Sequence, residues 1–306
     1  KNWVENSDYW IQLTKKIEDV LSDKLHSELT KSFIDKKISI LSRSLKQDLI
    51  LKTEVNEDNK VLIDGQHIGE LKGLKFHVEF TSKTLDTDIK SIKKAARRGI
   101  AEELIKRANK IIDEKKIVLM DDNKIHWNKQ PIARVKKGST YLSPDIELIA
   151  DDALPKGNLK SLELFVKDWL SKHIYDGLGD LINLTDVKVE NQYLRALAFQ
   201  MYEKNGIIKR KEIEHMVKLI SKEERKKLWE MGIKLGRYHI YLPKMLKPKA
   251  VTLRINLWKI FNEKSSETNI PKFGLNFISN ENFNKNFLLL CGFENFKDFF
   301  VRIDIL

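Results

Sequence analysis

The sequence has one cysteine, Cys291, among 306 residues. A single thiol excludes an internal disulfide and any zinc site built on several cysteines. Its apolar setting, FLLLCGF, marks Cys291 as a core residue, and the scarcity of thiols points to a cytosolic protein. No apolar run approaches the roughly 18 residues that a membrane-spanning helix needs, so no membrane role is expected. The chain also lacks G-x-x-x-x-G-K-[ST], H-E-x-x-H and G-x-S-x-G, which removes a phosphate-cradling loop, a zinc-protease helix and a nucleophile elbow. Its seven histidines are scattered singly. The pairs Asp121-Asp122 and Asp151-Asp152 read as turn residues rather than a two-metal centre. No catalytic residue and no metal ligand is expected in this chain.

What is present is a folded protein with a net positive charge. Hydrophobic residues make up 42% and charged residues 33%, enough for a core in one large domain or two to three ordinary ones. The formal charge of +12 favours polyanionic partners, nucleic acid first. A competing explanation is an AT-rich genome, which raises lysine, asparagine and isoleucine without selection for binding.

From Tyr9 to Leu49, apolar residues at steps of three and four (Trp10, Leu13, Ile17, Leu21, Leu25, Leu29, Phe33) predict two or three helices, with breaks near Ser22 and Asp35. Two similar stretches follow, NKVLIDGQHIGELKG from Asn59 and NKIHWNKQPIARVKKG from Asn123. Asn59-Lys60-Val61 aligns with Asn123-Lys124-Ile125, Gln66 with Gln130, Ile68 with Ile132 and Leu71-Lys72 with Val135-Lys136. The Asp-Gly pair in the first copy is a strong hairpin signal. Each copy leads into another strand-like run and then a helix, so a duplicated small-sheet unit is expected. Between the copies, 86–115 reads as one long helix. After ALPKGN (153–158) the pattern is again helical. Asn205-Gly206 marks a helix end, Ser221 with Glu224 a capping box, and Gly232 the end of the helix that follows. Short helices followed by the strand-like RYHIYL fit a winged helix, among other helical domains. The expected class is α+β, mostly helical around a duplicated β-hairpin unit. The expected domains are 1–52, 53–152 and 153–306, with Pro155 at the last boundary.

Two basic surfaces stand out. Residues 231–262 hold no Asp or Glu but carry Lys234, Arg237, Lys244, Lys247, Lys249, Arg254 and Lys259, interleaved with Tyr238, Tyr241 and Trp258. Cations neutralise phosphates and aromatic faces stack on bases, so the composition suits single-stranded nucleic acid. The competing reading buries RYHIYLP as a strand and leaves the lysines merely solvated, with Tyr241, Leu253 and Leu257 in the core either way. On the 86–115 helix, Lys90, Lys94, Arg97 and Arg98 share one face, again either a phosphate stripe or a solvated surface.

Several collinear stretches carry a resemblance: WVENSDYW, EDVLSDKLHSELTKSFIDKK, DGQHIGELKGLKF, IHWNKQPIARVKKG and MGIKLGRYHIYLPKMLKPKA. Together they resemble the C-terminal half of alphaproteobacterial superfamily-two, DExH-type helicases related to the mitochondrial degradosome RNA helicase. The resemblance implies an accessory half that holds single-stranded RNA while a RecA-like motor upstream unwinds it. The implied cofactors of the full-length protein are ATP and Mg2+, and an exoribonuclease is an implied partner. On this reading the chain is a piece cut at both ends, which accounts for the absent initiator Met. The residues expected to contact nucleic acid are Lys234, Arg237, Lys244, Lys247 and Arg254, with Arg97 and Arg98 as a second contact. The alternative is a non-enzymatic nucleic-acid-binding or protein-docking module.

Overall fold

The computed structural model of the chain describes residues 6–46, 52–78, 86–186, 191–263, 274, 276–278 and 284–306, with the backbone alone at 31, 33–46, 86–93, 95 and 98. In chain order the elements begin with α1 (Ser7–Lys46), β1 (Thr53–Val55), β2 (Lys60–Ile63), β3 (Gln66–Lys72) and β4 (Lys75–Val78). There follow α2 (Asp86–Glu114), β5 (Ile117–Leu119), β6 (Lys124–Trp127), β7 (Gln130–Thr140), β8 (Ser143–Leu148) and α3 (Lys156–Ile182). Next come α4 (Gln192–Glu203), β9 (Ile207–Lys209), α5 (Glu214–Leu219), α6 (Lys222–Glu230), β10 (Lys234–Leu235) and β11 (His239–Tyr241). The last are α7 (Pro248–Phe261), β12 (Asn276–Ile278), α8 (Lys285–Leu290), β13 (Phe293–Phe296) and β14 (Phe299–Arg302). The class is α+β, with four small antiparallel sheets among helices. Among the described residues, no helix is long and apolar enough to cross a membrane.

The chain divides into two compact units. The first takes in 1–117, 127–132 and 149–162, the last interval containing Pro155; the second takes in 118–126, 133–148 and 163–306.

The duplication is visible in the backbone. Strands open at Thr53, Lys60 and Gln66 in the first copy and at Ile117, Lys124 and Gln130 in the second, each 64 residues later. The same hydrogen bonds recur: Leu71 N donates to Asn59 O at 2.8 Å, and Val135 N to Asn123 O at 2.9 Å. Asn59 and Asn123 both take positive φ, +63° and +61°. The two-residue hairpin turns match as well, with φ +50° and +74° at Asp64-Gly65 and +47° and +64° at Asn128-Lys129. Positive φ at both central positions is the turn whose twist suits a hairpin, and Asp-Gly adopts it with little strain. The same positions are buried in both copies: Val61, Ile63, Ile68 and Leu71 in the first, Ile125, Trp127, Ile132 and Val135 in the second.

In the first unit α2 packs on β1 and also meets α1. The close approach of α2 to β1 requires Gly99, where an added Cβ would lie 2.6 Å from the Thr53 Cβ. Gly99→Ala is therefore expected to destabilise this unit by about 1–3 kcal/mol through overpacking, read as a lower urea midpoint. The expectation of two or three N-terminal helices is corrected: α1 runs unbroken over 40 residues. Its sequence contains no Pro or Gly, and Ser22 and Asp35 alone do not interrupt the hydrogen-bond ladder. Tyr9, Trp10, Ile17, Leu21, Leu25 and Leu29 on it are exposed.

In the second unit the core follows the sequence pattern. Leu162 of the first unit begins a stripe that continues there through Val166, Leu170 and Ile174, and all four are buried. Leu194, Leu197 and Met201 of α4 are buried as well, and Asn205 and Gly206 end that helix with positive φ. The Ser221–Glu224 capping box is formed in both directions. Between β9 and α6 the chain makes a 3-10 turn (Arg210–Glu212) and then α5. Val251 and Ile255 of α7 pack with Phe287, Leu288, Cys291, Phe293 and Phe300, so Cys291 is a core residue as its context implied. Burial pushes its thiol up to about 12.

Candidate nucleic-acid interface

Within the second unit, α4, β9, α5, α6, β10 and β11 follow one another as helix, strand, helix, helix, strand, strand. Their sheet runs β10-β11-β9. That is the connectivity of a winged helix, with the β10–β11 hairpin as a short wing. The wing turn is Gly236-Arg237-Tyr238, closed by Gly236 N donating to His239 O at 2.9 Å. Arg210 holds it from below: its backbone N donates to Tyr238 O at 2.8 Å and its Nη1 to Gly236 O at 2.9 Å. Two anchors on a three-residue turn fix the direction in which Arg237 and Tyr238 project.

At the tip, the Arg237 guanidinium carbon lies 5.3 Å from the Tyr238 ring centre, a cation–π contact. Tyr238 in turn faces Phe296 at the end of β13, ring centres 6.3 Å apart and tilted by 57°. Both rings are exposed. Beneath them is a cavity of about 550 Å³ whose walls include Lys209, Arg210, Lys211, Arg237, Glu294 and Phe296. Glu294 accepts from Lys209 Nζ at 2.8 Å and lies 3.0 Å from Nε2 of the buried His239. Burial works to raise the Glu294 carboxyl, but the hydrogen bonds from His239 and Lys209 outweigh it and hold it below the usual carboxylate range. Lys209 is therefore neutralised. Among the described residues, Lys211 and Arg237 have no carboxylate partner and are exposed. The arrangement presents two free cations beside two exposed aromatic faces.

The other residues expected from sequence are placed differently. Lys234 and Lys244 share a second cavity of about 450 Å³ with Asp180 and the exposed Trp229. Lys244 Nζ is already paired with Asp180 at 2.9 Å, and Lys234 lies 5.7 Å above the Tyr241 ring. Lys247 is exposed as the N-cap of α7. Arg254 is corrected: it is 0% exposed, and its guanidinium donates to Asn205 O and Leu290 O. A group so enclosed holds helices together and cannot touch a phosphate. In the first unit, Arg97 is exposed and pairs with Asp152 at 3.3 Å. Arg98 lies on α2, but its side chain is outside the described residues. Tyr241, Leu253 and Leu257 are buried as expected.

Sequence reasoning missed Lys209, Arg210, Lys211 and Phe296. The signal was the run Lys209-Arg210-Lys211, which fell outside the acid-free window because Glu212 and Glu214 follow it. Among the described residues, no cluster of three or more His, Cys, Asp or Glu is placed to hold a metal. No family model, curated protein or solved structure matches the chain.

Proposed function

We propose that this chain holds single-stranded nucleic acid, RNA first, with the wing of the second unit as a principal contact. The observation that carries the reading is the wing tip itself, where an arginine with no carboxylate partner among the described residues and two exposed rings adjoin Lys211. A base stacks on Tyr238 or Phe296 while Arg237 and Lys211 meet the flanking phosphates, a mode that reads no sequence. The collinear resemblance supports placing this module in an ATP-dependent RNA helicase, where ATP and Mg2+ act at motor domains that have no counterpart among these residues. The chain's own role is then to grip the strand between hydrolysis steps.

The test is fluorescence anisotropy with a labelled oligouridylate. Arg237→Ala with Tyr238→Ala is expected to weaken binding about 10- to 100-fold, the magnitude of one lost stacking contact plus one phosphate contact. It should also flatten the salt dependence by about 0.7 per lost phosphate contact. Unchanged affinity and slope would sink the proposal. A protein-docking role has one observation in its favour, the exposed apolar residues of α1. A salt-insensitive complex with an exoribonuclease, lost on replacing Leu21 and Leu25 with Glu, would support it.

A further inference from the structure

The two β units carry cavities at the same place. In the first, about 410 Å³ lies against Asp58, Asn59, Glu70, Leu71, Lys72 and Gly73. In the second, about 570 Å³ lies against Asp122, Asn123, Arg134, Val135, Lys136 and Lys137, each 64 residues further along. The recurrence of a concave site in both copies shows that the duplicated fold generates it.

One wall of the first cavity is formed by the protein's own cation. Arg107 of α2 donates through Nη1 to Leu71 O at 3.2 Å and Gly73 O at 3.1 Å, and through Nη2 to Asn59 Oδ1 at 2.5 Å. Its Nε donates to Glu103 at 2.9 Å. Around that guanidinium the positions of the β unit carry one net negative charge, from Asp58, Glu70 and Lys72, and Glu103, Lys106 and Lys110 of α2 complete the wall. In the second copy Glu70 is replaced by Arg134 and Gly73 by Lys137, so the equivalent positions carry two net positive charges. Lys124 and Lys259 add to the same wall, opposed by Glu263. Lys136 pairs with Glu147 at 3.0 Å, but both are half exposed and such a pair leaves the lysine available. Arg134 and Lys136 are two apart on β7 and so share a face. Lys137 lies 5.1 Å above the Phe261 ring, which holds its stem in place.

We propose that the cavity of the second β unit binds backbone phosphates of the nucleic acid through charge alone, while the matching positions of the first β unit hold the protein's own Arg107. The inversion of charge between otherwise matching positions is what distinguishes a ligand site from a structural one. This inference rests on the nucleic-acid reading above, but it requires no base contact, and that difference makes it separately testable.

The experiment uses the whole chain and three probes: long-chain inorganic polyphosphate, an oligouridylate and poly-glutamate. Arg134→Glu with Lys137→Gly installs the residues of the first β unit; because position 134 faces Glu147 across β7 and β8, circular dichroism and a melting curve check that it folds. Polyphosphate affinity is expected to fall at least tenfold and its salt slope to flatten. The oligouridylate slope should flatten by about 1.4 for two lost phosphates. The wing variant, Arg237→Ala with Tyr238→Ala, should leave polyphosphate binding in place while weakening the oligouridylate. Polyphosphate binding unchanged in Arg134→Glu with Lys137→Gly overturns the inference. So does an equal or greater loss of poly-glutamate binding, which would make the cavity a docking surface for an acidic protein. If only the wing variant is silent toward the oligouridylate, the wing reading falls and the cavity stands. If the parent chain binds polyphosphate but no oligouridylate, the cavity is a general anion site and both nucleic-acid assignments fall.

Discussion

Replacing Arg254 with alanine is expected to destabilise the second unit by about 3–5 kcal/mol. The side chain is fully buried, and its two donor groups meet Asn205 O just past the end of α4 and Leu290 O, the last residue of α8. Carbonyls at helix C-termini have no intrahelical donor and carry partial negative charge. They take the place that a carboxylate would fill, so α7 is pinned to the ends of two other helices by one guanidinium. Burial pulls that group down to about 10, still protonated at neutral pH. Alanine loses both bonds and opens a cavity. Methionine refills most of the volume but leaves both carbonyls without a donor, so it should cost less, about 1–3 kcal/mol. The check is a urea titration of both variants, with hydrogen exchange resolved by peptide. Amides of α4 and α8 should lose protection first. Oligouridylate affinity measured below the transition should match that of the parent. A variant as stable as the parent, or one that loses affinity while folded, would contradict the structural role.

Arg254 also marks the limit of what the sequence revealed. The acid-free segment 231–262 treats all its cations alike, because composition carries no information about which side of α7 meets the core. Helical spacing offers a hint: Arg254 lies one residue from the buried Leu253 and Ile255, and three from Leu257 and Val251. Arg237 was legible only as one cation of that segment, at the start of the strand-like RYHIYL. Phe296, 58 positions after Tyr238, meets it only through tertiary pairing, which no local pattern encodes. The duplicated β unit was the clearest feature. Its hairpin depends on short-range signals, an Asn at positive φ and a two-residue turn, and these survive as repeated letters. The N-terminal helix departs from its expected breaks for the opposite reason. Polar residues at Ser22 and Asp35 weaken helix propensity by tenths of a kcal/mol, and no breaker adds to them.

The same duplication sets the second large expectation. Arg107→Met should destabilise the first unit by about 2–4 kcal/mol, because four polar groups lose their donor in a space that methionine fills but cannot satisfy. Leu71 O belongs to β3, Gly73 O to the β3–β4 connection, Asn59 to the turn before β2, and Glu103 to α2 itself, so one side chain ties the sheet to the helix. Hydrogen exchange should report the loss in β2, β3 and β4, with the amides of α4 and α8 left as in the parent. Arg107→Lys should recover only part of the stability, since an ammonium cannot reach four acceptors spread across the fork of a guanidinium. The second copy provides the internal control. There the position under Asn123 has no such arginine among the described residues, and Arg134→Glu with Lys137→Gly should change stability by less than about 1 kcal/mol, as expected of exposed residues. The two variants, one at each cavity, would thus separate by readout, one in folding and the other in anion binding. If Arg107→Met proved neutral, the first cavity would be no more structural than the second, and the contrast between the two copies would lose its basis.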